Sequence, residues 1–68
     1  MTKSKTYTIT LGTPFVLRIF LRELGLWGVK DTTYTINELV VTTKSQNVVD
    51  VCTETFRQWP EVYSIDIG

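Results

Sequence analysis

Strict alternation of apolar and polar positions marks three short stretches of the chain. Tyr7-Thr8-Ile9-Thr10-Leu11 puts Tyr7, Ile9 and Leu11 on one side and threonines on the other. Thr33-Tyr34-Thr35-Ile36-Asn37 nearly copies it, and Val62-Tyr63-Ser64-Ile65-Asp66-Ile67 repeats it more loosely. Side chains point to opposite faces of a strand in turn, so each stretch predicts a half-buried strand. Their β-branched and aromatic content agrees. The first strand is expected from about Lys5 to Leu11, the second over Val29–Ile36 and the last over Glu61–Ile67, with residues 1–4 frayed.

Between the strands the period changes. Gly12-Thr13-Pro14 is a switch: glycine allows the turn, the Thr13 hydroxyl suits a helix N-cap, and Pro14 suits the first helical position, where no N–H is needed. A helix from Pro14 to about Leu26 follows, with Gly25 and Gly28 where the chain must leave it. At about 100° per residue, Val16, Phe20, Leu24 and Trp27 form a stripe flanked by Leu17 and Leu21, which should cover the sheet. Arg18 and Arg22 lie opposite. Phe15, Ile19 and Leu26 fall between the two, a second apolar ridge that one small sheet does not need. Further on, Val49, Cys52, Phe56 and Trp59 keep helical spacing, with Val48 and Thr55 beside them, until Pro60 stops the run. Ser45 or Asn47 is the expected cap and Asp50 a favourable first-turn charge. The many β-branched residues leave a hairpin of Leu39–Thr43 with Val48–Cys52 as the rival.

Residues 33–43 decide the topology. One continuous strand would put Glu38 on the same face as Tyr34 and Ile36. A hairpin turning at Asn37-Glu38 pairs Ile36 with Leu39 and turns Tyr34, Ile36, Leu39 and Val41 inward. A β-bulge would also restore parity. The hairpin gives strand–helix–strand–strand–helix–strand, an α+β, two-layer, ferredoxin-like βαββαβ sandwich with a four-stranded antiparallel sheet and both helices on one face. The runner-up is βαβαβ with a bulged middle strand. The open face then reads Thr6, Thr8, Thr10, Thr33, Thr35, Val40, Thr42, Ser64 and Asp66. This layout resembles heavy-metal-associated domains, acylphosphatase-type domains and RNA-recognition motifs. Gly12-Thr13-Pro14-Phe15 has no Cys-x-x-Cys, that loop lacks the Arg and Asn of an anion-holding turn, and the open face has no aromatic on which to stack a base.

Composition narrows the functions. The 68 residues make one small domain, and a chain this short is only marginally stable by itself. Its single cysteine permits no internal disulfide, and there is no histidine. Oligomerisation or partner binding is the natural supplement. Seven Lys+Arg balance seven Asp+Glu, which disfavours a large nucleic-acid footprint. No targeting segment is read at the N-terminus, and the apolar cluster Phe15–Leu21 is too short to span a membrane. A lone thiol fits a reducing, cytoplasmic compartment.

Candidate chemistry is sparse. Cys52 lies on the apolar face of its helix and reads as a small core hydrophobe. Asp50 and Glu54 are one turn apart but read as a solvated face. No catalytic, cofactor-binding or metal-ligating residue is assigned, and no enzyme activity is expected. The residues expected at an interface are Phe15, Ile19, Arg18, Arg22, Leu26 and Trp27, because Trp and Arg are frequent anchors. The expected function is a protein-binding regulator, adaptor or inhibitor, of a size suited to a phage or mobile element. It is expected to act as a homodimer through helix and sheet-edge surfaces. The alternatives are nucleic-acid binding through the sheet or Lys3, Lys5, Arg18 and Arg22, and small-ligand sensing at a dimer interface.

Overall fold

The computed structural model describes residues 5–68; the expected frayed end at 1–4, and Lys3 with it, lies outside the described residues. The element order is β1 (Tyr7–Leu11), α1 (Pro14–Leu26), a 3-10 turn at Asp31–Thr33, β2 (Tyr34–Asn37), β3 (Val40–Thr43), α2 (Gln46–Thr55), a second 3-10 turn at Pro60–Val62 and β4 (Tyr63–Ile67). The strands form one antiparallel sheet in the order β2-β3-β1-β4. This is the ferredoxin-like arrangement, with the first and third strands central. The bulged βαβαβ alternative is excluded, because β2 and β3 are separate strands of a hairpin.

Parity places the core. One cross-strand row is Ile36–Val41–Ile9–Ile65, the next Tyr34–Thr43–Tyr7–Ile67, and Leu11 faces Tyr63 at the end. These rows face the helices, and Ile9, Leu11 and Val41 are fully covered. The rows between them, Thr35–Thr42–Thr8–Asp66 and Asn37–Val40–Thr10–Ser64, form the open face. The threonine face is therefore present as expected, except that Thr33 belongs to the 3-10 turn before β2.

The first helix has the expected bounds because each end carries its own chemistry. Thr13 accepts a hydrogen bond from the Val16 N–H at 3.2 Å, and Pro14 opens the helix. At the other end Gly28 has φ +77, its N–H donates to Gly25 O, and the Val29 N–H donates to Leu24 O at 2.9 Å. That pair of bonds is a Schellman motif, which needs a left-handed residue at the position Gly28 fills. Val16, Phe20 and Leu24 are buried as expected. Trp27 is not; it is the C-cap, where the helix has ended, and 56 % of it is exposed.

Several boundaries differ from expectation. Val29 and Lys30 are irregular and Asp31–Thr33 is the 3-10 turn, so β2 begins only at Tyr34. The hairpin exists, but it turns one residue later, at Glu38-Leu39, so Asn37 pairs with Val40 and Ile36 with Val41. Leu39 sits in the turn, and its carbonyl accepts the Leu11 N–H at 2.8 Å. Residues 48–52 are helix, not strand. The second helix starts at Gln46 and stops at Thr55, so Asp50 lies beyond the first turn and Trp59 outside the helix. Ser45 is at the N-cap position without a side-chain cap bond. Its own N–H is held instead by Thr43 Oγ1 at 3.0 Å. Val48, Val49, Val51, Cys52 and Phe56 complete the core. The last strand starts at Tyr63, after a 3-10 turn that Pro60 opens.

Candidate functional site

The second apolar ridge of α1 divides into two places. Phe15 and Ile19 occupy the first turns of the helix, and Leu26 and Trp27 its end, with Leu26 about 16 Å from Phe15 along the axis at about 1.5 Å per residue. The first pair lines a concavity whose walls are wholly apolar. There the chain leaving α2 returns toward β4 through a pinned segment. The Trp59 N–H donates to Phe56 O at 3.0 Å, the Val62 N–H to Trp59 O at 3.2 Å, and the Gly12 N–H to Val62 O at 2.9 Å. A Cβ on Gly12 would stand 3.3 Å from the Val62 carbonyl oxygen, a tight contact that would press the two loops slightly apart. Phe56 anchors the segment from below, with its ring 6.4 Å from that of Phe20 and 5.8 Å from that of Tyr63.

The result is an open groove of about 290 Å³ lined by Phe15, Val16, Ile19, Phe56, Trp59 and Val62, all apolar. Its floor is core: Val16 and Phe56 are buried. Its rims are wet, with Phe15 70 % and Trp59 55 % exposed. Arg18, one turn from Phe15, and Arg22 beyond it are also exposed on α1 and take no part in an ion pair among the described residues. Leu26, 69 % exposed, and Trp27 are far from this groove; Trp27 instead borders a mixed cleft of about 340 Å³ with Lys30, Asn47 and Asp50.

Of the six residues expected at an interface, the structure thus gathers Phe15 and Ile19, leaves Arg18 and Arg22 beside them, and separates Leu26 and Trp27. Phe56, Trp59 and Val62 were not expected there. The available signal was Pro60, which opens the 3-10 turn for which Trp59 is the N-cap and so takes that ring out of the helical stripe.

The remaining candidates do not form sites. Asp50 accepts from Gln46 Nε2 at 3.0 Å, whereas Glu54 faces Arg57 at 4.0 Å, so the two carboxylates have separate partners. At the start of α1 the Thr13 hydroxyl and the Gly12 N–H are already engaged. Cys52 is fully buried, and burial pushes its thiol up to about 12, far from a reactive thiolate. Among the described residues no three His, Cys, Asp or Glu side chains gather where they would hold a metal, and no helix is long and apolar enough to cross a membrane. No protein-family model matches the chain, and no curated protein or solved structure matches it either.

Proposed function

We propose that this chain is a non-enzymatic protein-binding module, a regulator, adaptor or inhibitor, and that the groove between the start of α1 and the Phe56–Val62 segment is its recognition site. The observation that carries the reading is Phe15 and Trp59 standing exposed on either rim of a wholly apolar groove. Rings held half in water over a core floor gain most when a partner covers them, by roughly 25 cal/mol for each Å² of apolar surface removed from water. Trp and Arg are the residue types on which binding energy concentrates. The chemistry fits a partner segment with one bulky apolar anchor and an acidic flank for Arg18 and Arg22. A buried thiol without redox poise suits a reducing, cytoplasmic setting.

Phe15→Asp and Trp59→Ala test the reading. Both are rim positions, so the far-UV spectrum and the melting transition should stay near those of the parent. A partner captured by the parent from its native host should be lost by both variants and retained by Lys44→Ala, at an exposed position between β3 and α2 that does not line the groove. Capture that survives both groove substitutions would rule the groove out.

A further inference from the structure

The hydrogen-bond phase of β4 leaves a template at the sheet edge. The Thr6 N–H donates to Gly68 O at 3.1 Å and the Gly68 N–H to Thr6 O at 2.9 Å, so residues 6 and 68 form a reciprocal pair. In an antiparallel ladder such pairs recur at every second residue. With the observed register, Thr8 with Asp66 and Thr10 with Ser64 are the next ones. The backbone groups of Ser64 and Asp66 are therefore spent on β1, and those of Tyr63, Ile65 and Ile67 point away from the sheet. Among the described residues β4 has no neighbour on that side. Ile67 is 63 % exposed although its row faces the helix layer.

We infer that β4 pairs antiparallel with β4 of a second copy of this chain, Ile65 opposite the partner subunit's Ile65. The register follows from what each alternative would bring together. Centred on Ile65, Tyr63 lies opposite the partner's Ile67, and every outward amide and carbonyl of the strand finds a partner. On the open face Ser64 then meets the partner's Asp66, a hydroxyl donor against a carboxylate. Moving the centre to Asp66 sets two like charges opposite each other, which is unfavourable. Moving it to Ser64 leaves Ile67 overhanging, opposite a 3-10 turn that is not strand. The two-fold axis stands normal to the sheet, so the sheets join into one with the helices of both copies on the same side. The other free edge, β2, is the shorter strand and ends in the Glu38-Leu39 turn. An edge that pairs with itself closes the assembly, whereas β2 against β4 would continue into a filament. This dimer is independent of the groove.

Sedimentation equilibrium of the intact chain up to millimolar concentration, with three variants, tests the inference. The parent should dimerise. Ser64→Asp, which sets a carboxylate against the partner's Asp66 twice over, should weaken the dimer, and Ser64→Lys should tighten it roughly five-fold by forming two cross-strand ion pairs. Ile67→Pro should be monomeric, because the N–H it removes points outward and the ladder to β1 loses nothing. Far-UV spectra check that each variant is folded, and Ser64 is exposed, so its variants stay informative if Ile67→Pro does not fold. Amide exchange gives the phase directly: Ser64 and Asp66 protected at all concentrations, Ile65 and Ile67 only when concentrated. A parent that stays monomeric overturns the inference. So does a dimer indifferent to both Ser64 variants, or one lost with Phe15→Asp instead.

Discussion

Two threonines show how much a hydroxyl depends on its partners. Thr43 is the buried polar residue among those described, and it sits on the core-facing side of β3. Its hydroxyl donates to Thr33 O at 2.6 Å and accepts from the Ser45 N–H at 3.0 Å, tying the turn before β2 to the start of α2. Thr55, at the end of α2, has a buried hydroxyl without a partner among the described residues. The same isosteric change should therefore act in opposite directions. Thr43→Val strands two backbone groups and should cost about 1–3 kcal/mol, whereas Thr55→Val removes an unsatisfied group and should stabilise by up to about 1 kcal/mol. Urea unfolding of the two variants checks this, and two changes of the same sign would contradict it. Cys52 gives a pH dependence. Its thiol is held protonated in the fold up to about 12, while in the unfolded chain it ionises near 9.0. Unfolding then releases a proton between those values, so stability is full below pH 9 and falls by about 1.4 kcal/mol per pH unit above it. Burial raises Tyr63 as well, in the same direction. Denaturation between pH 8 and pH 10 should show the slope, and Cys52→Ala should flatten it.

At the scale of elements, what was legible is what the chain specifies locally. The bounds of α1 could be read because Thr13, Pro14 and Gly28 each act through their own backbone. Gly28→Ala forces a side chain into a left-handed position and should cost about 1 kcal/mol, with open space around it so that no clash contributes. For α2 the expected cap was Ser45 or Asn47; Ser45 does stand at the N-cap, but without a side-chain cap bond, and its own N–H is held by Thr43 two residues back. The hairpin was legible as a parity argument, but its turn was not. Asn37 looked like the turn residue and is instead paired with Val40, while Glu38 takes φ 56. Only the first turn position has positive φ, the pattern of a type II′ turn, where glycine is preferred. Glu38→Gly should therefore stabilise the hairpin by up to about 1 kcal/mol, read as a higher melting temperature.

At the scale of the whole molecule, the core faces followed from the repeated Tyr-x-Ile pattern and the element order from the hairpin, and the groove did not. Periodicity reports which side of α1 is apolar, but not that the Phe56–Val62 segment returns to face its first turn. That depends on the backbone contact between Gly12 and Val62, two residues far apart in sequence. The same pattern also hid where its copies would lie. One Tyr-x-Ile became the central strand β1 and two became the edges β2 and β4, and only the ladder reveals that their tyrosines and isoleucines carry the outward backbone groups. Free edges on a marginal fold couple assembly to stability. A 68-residue chain without a disulfide has little to spare, and pairing that occurs only between folded copies adds stability by mass action. For a domain of this size, each 1 kcal/mol gained moves the melting temperature by about 4–8 °C. The melting temperature of the parent should therefore climb with protein concentration. Ser64→Asp should weaken that climb while leaving the dilute-limit value near that of the parent, because its side chain lies on the open face, outside the core. A parent whose melting temperature is flat with concentration would mean that β4 stays unpaired and that the fold stands on its core alone.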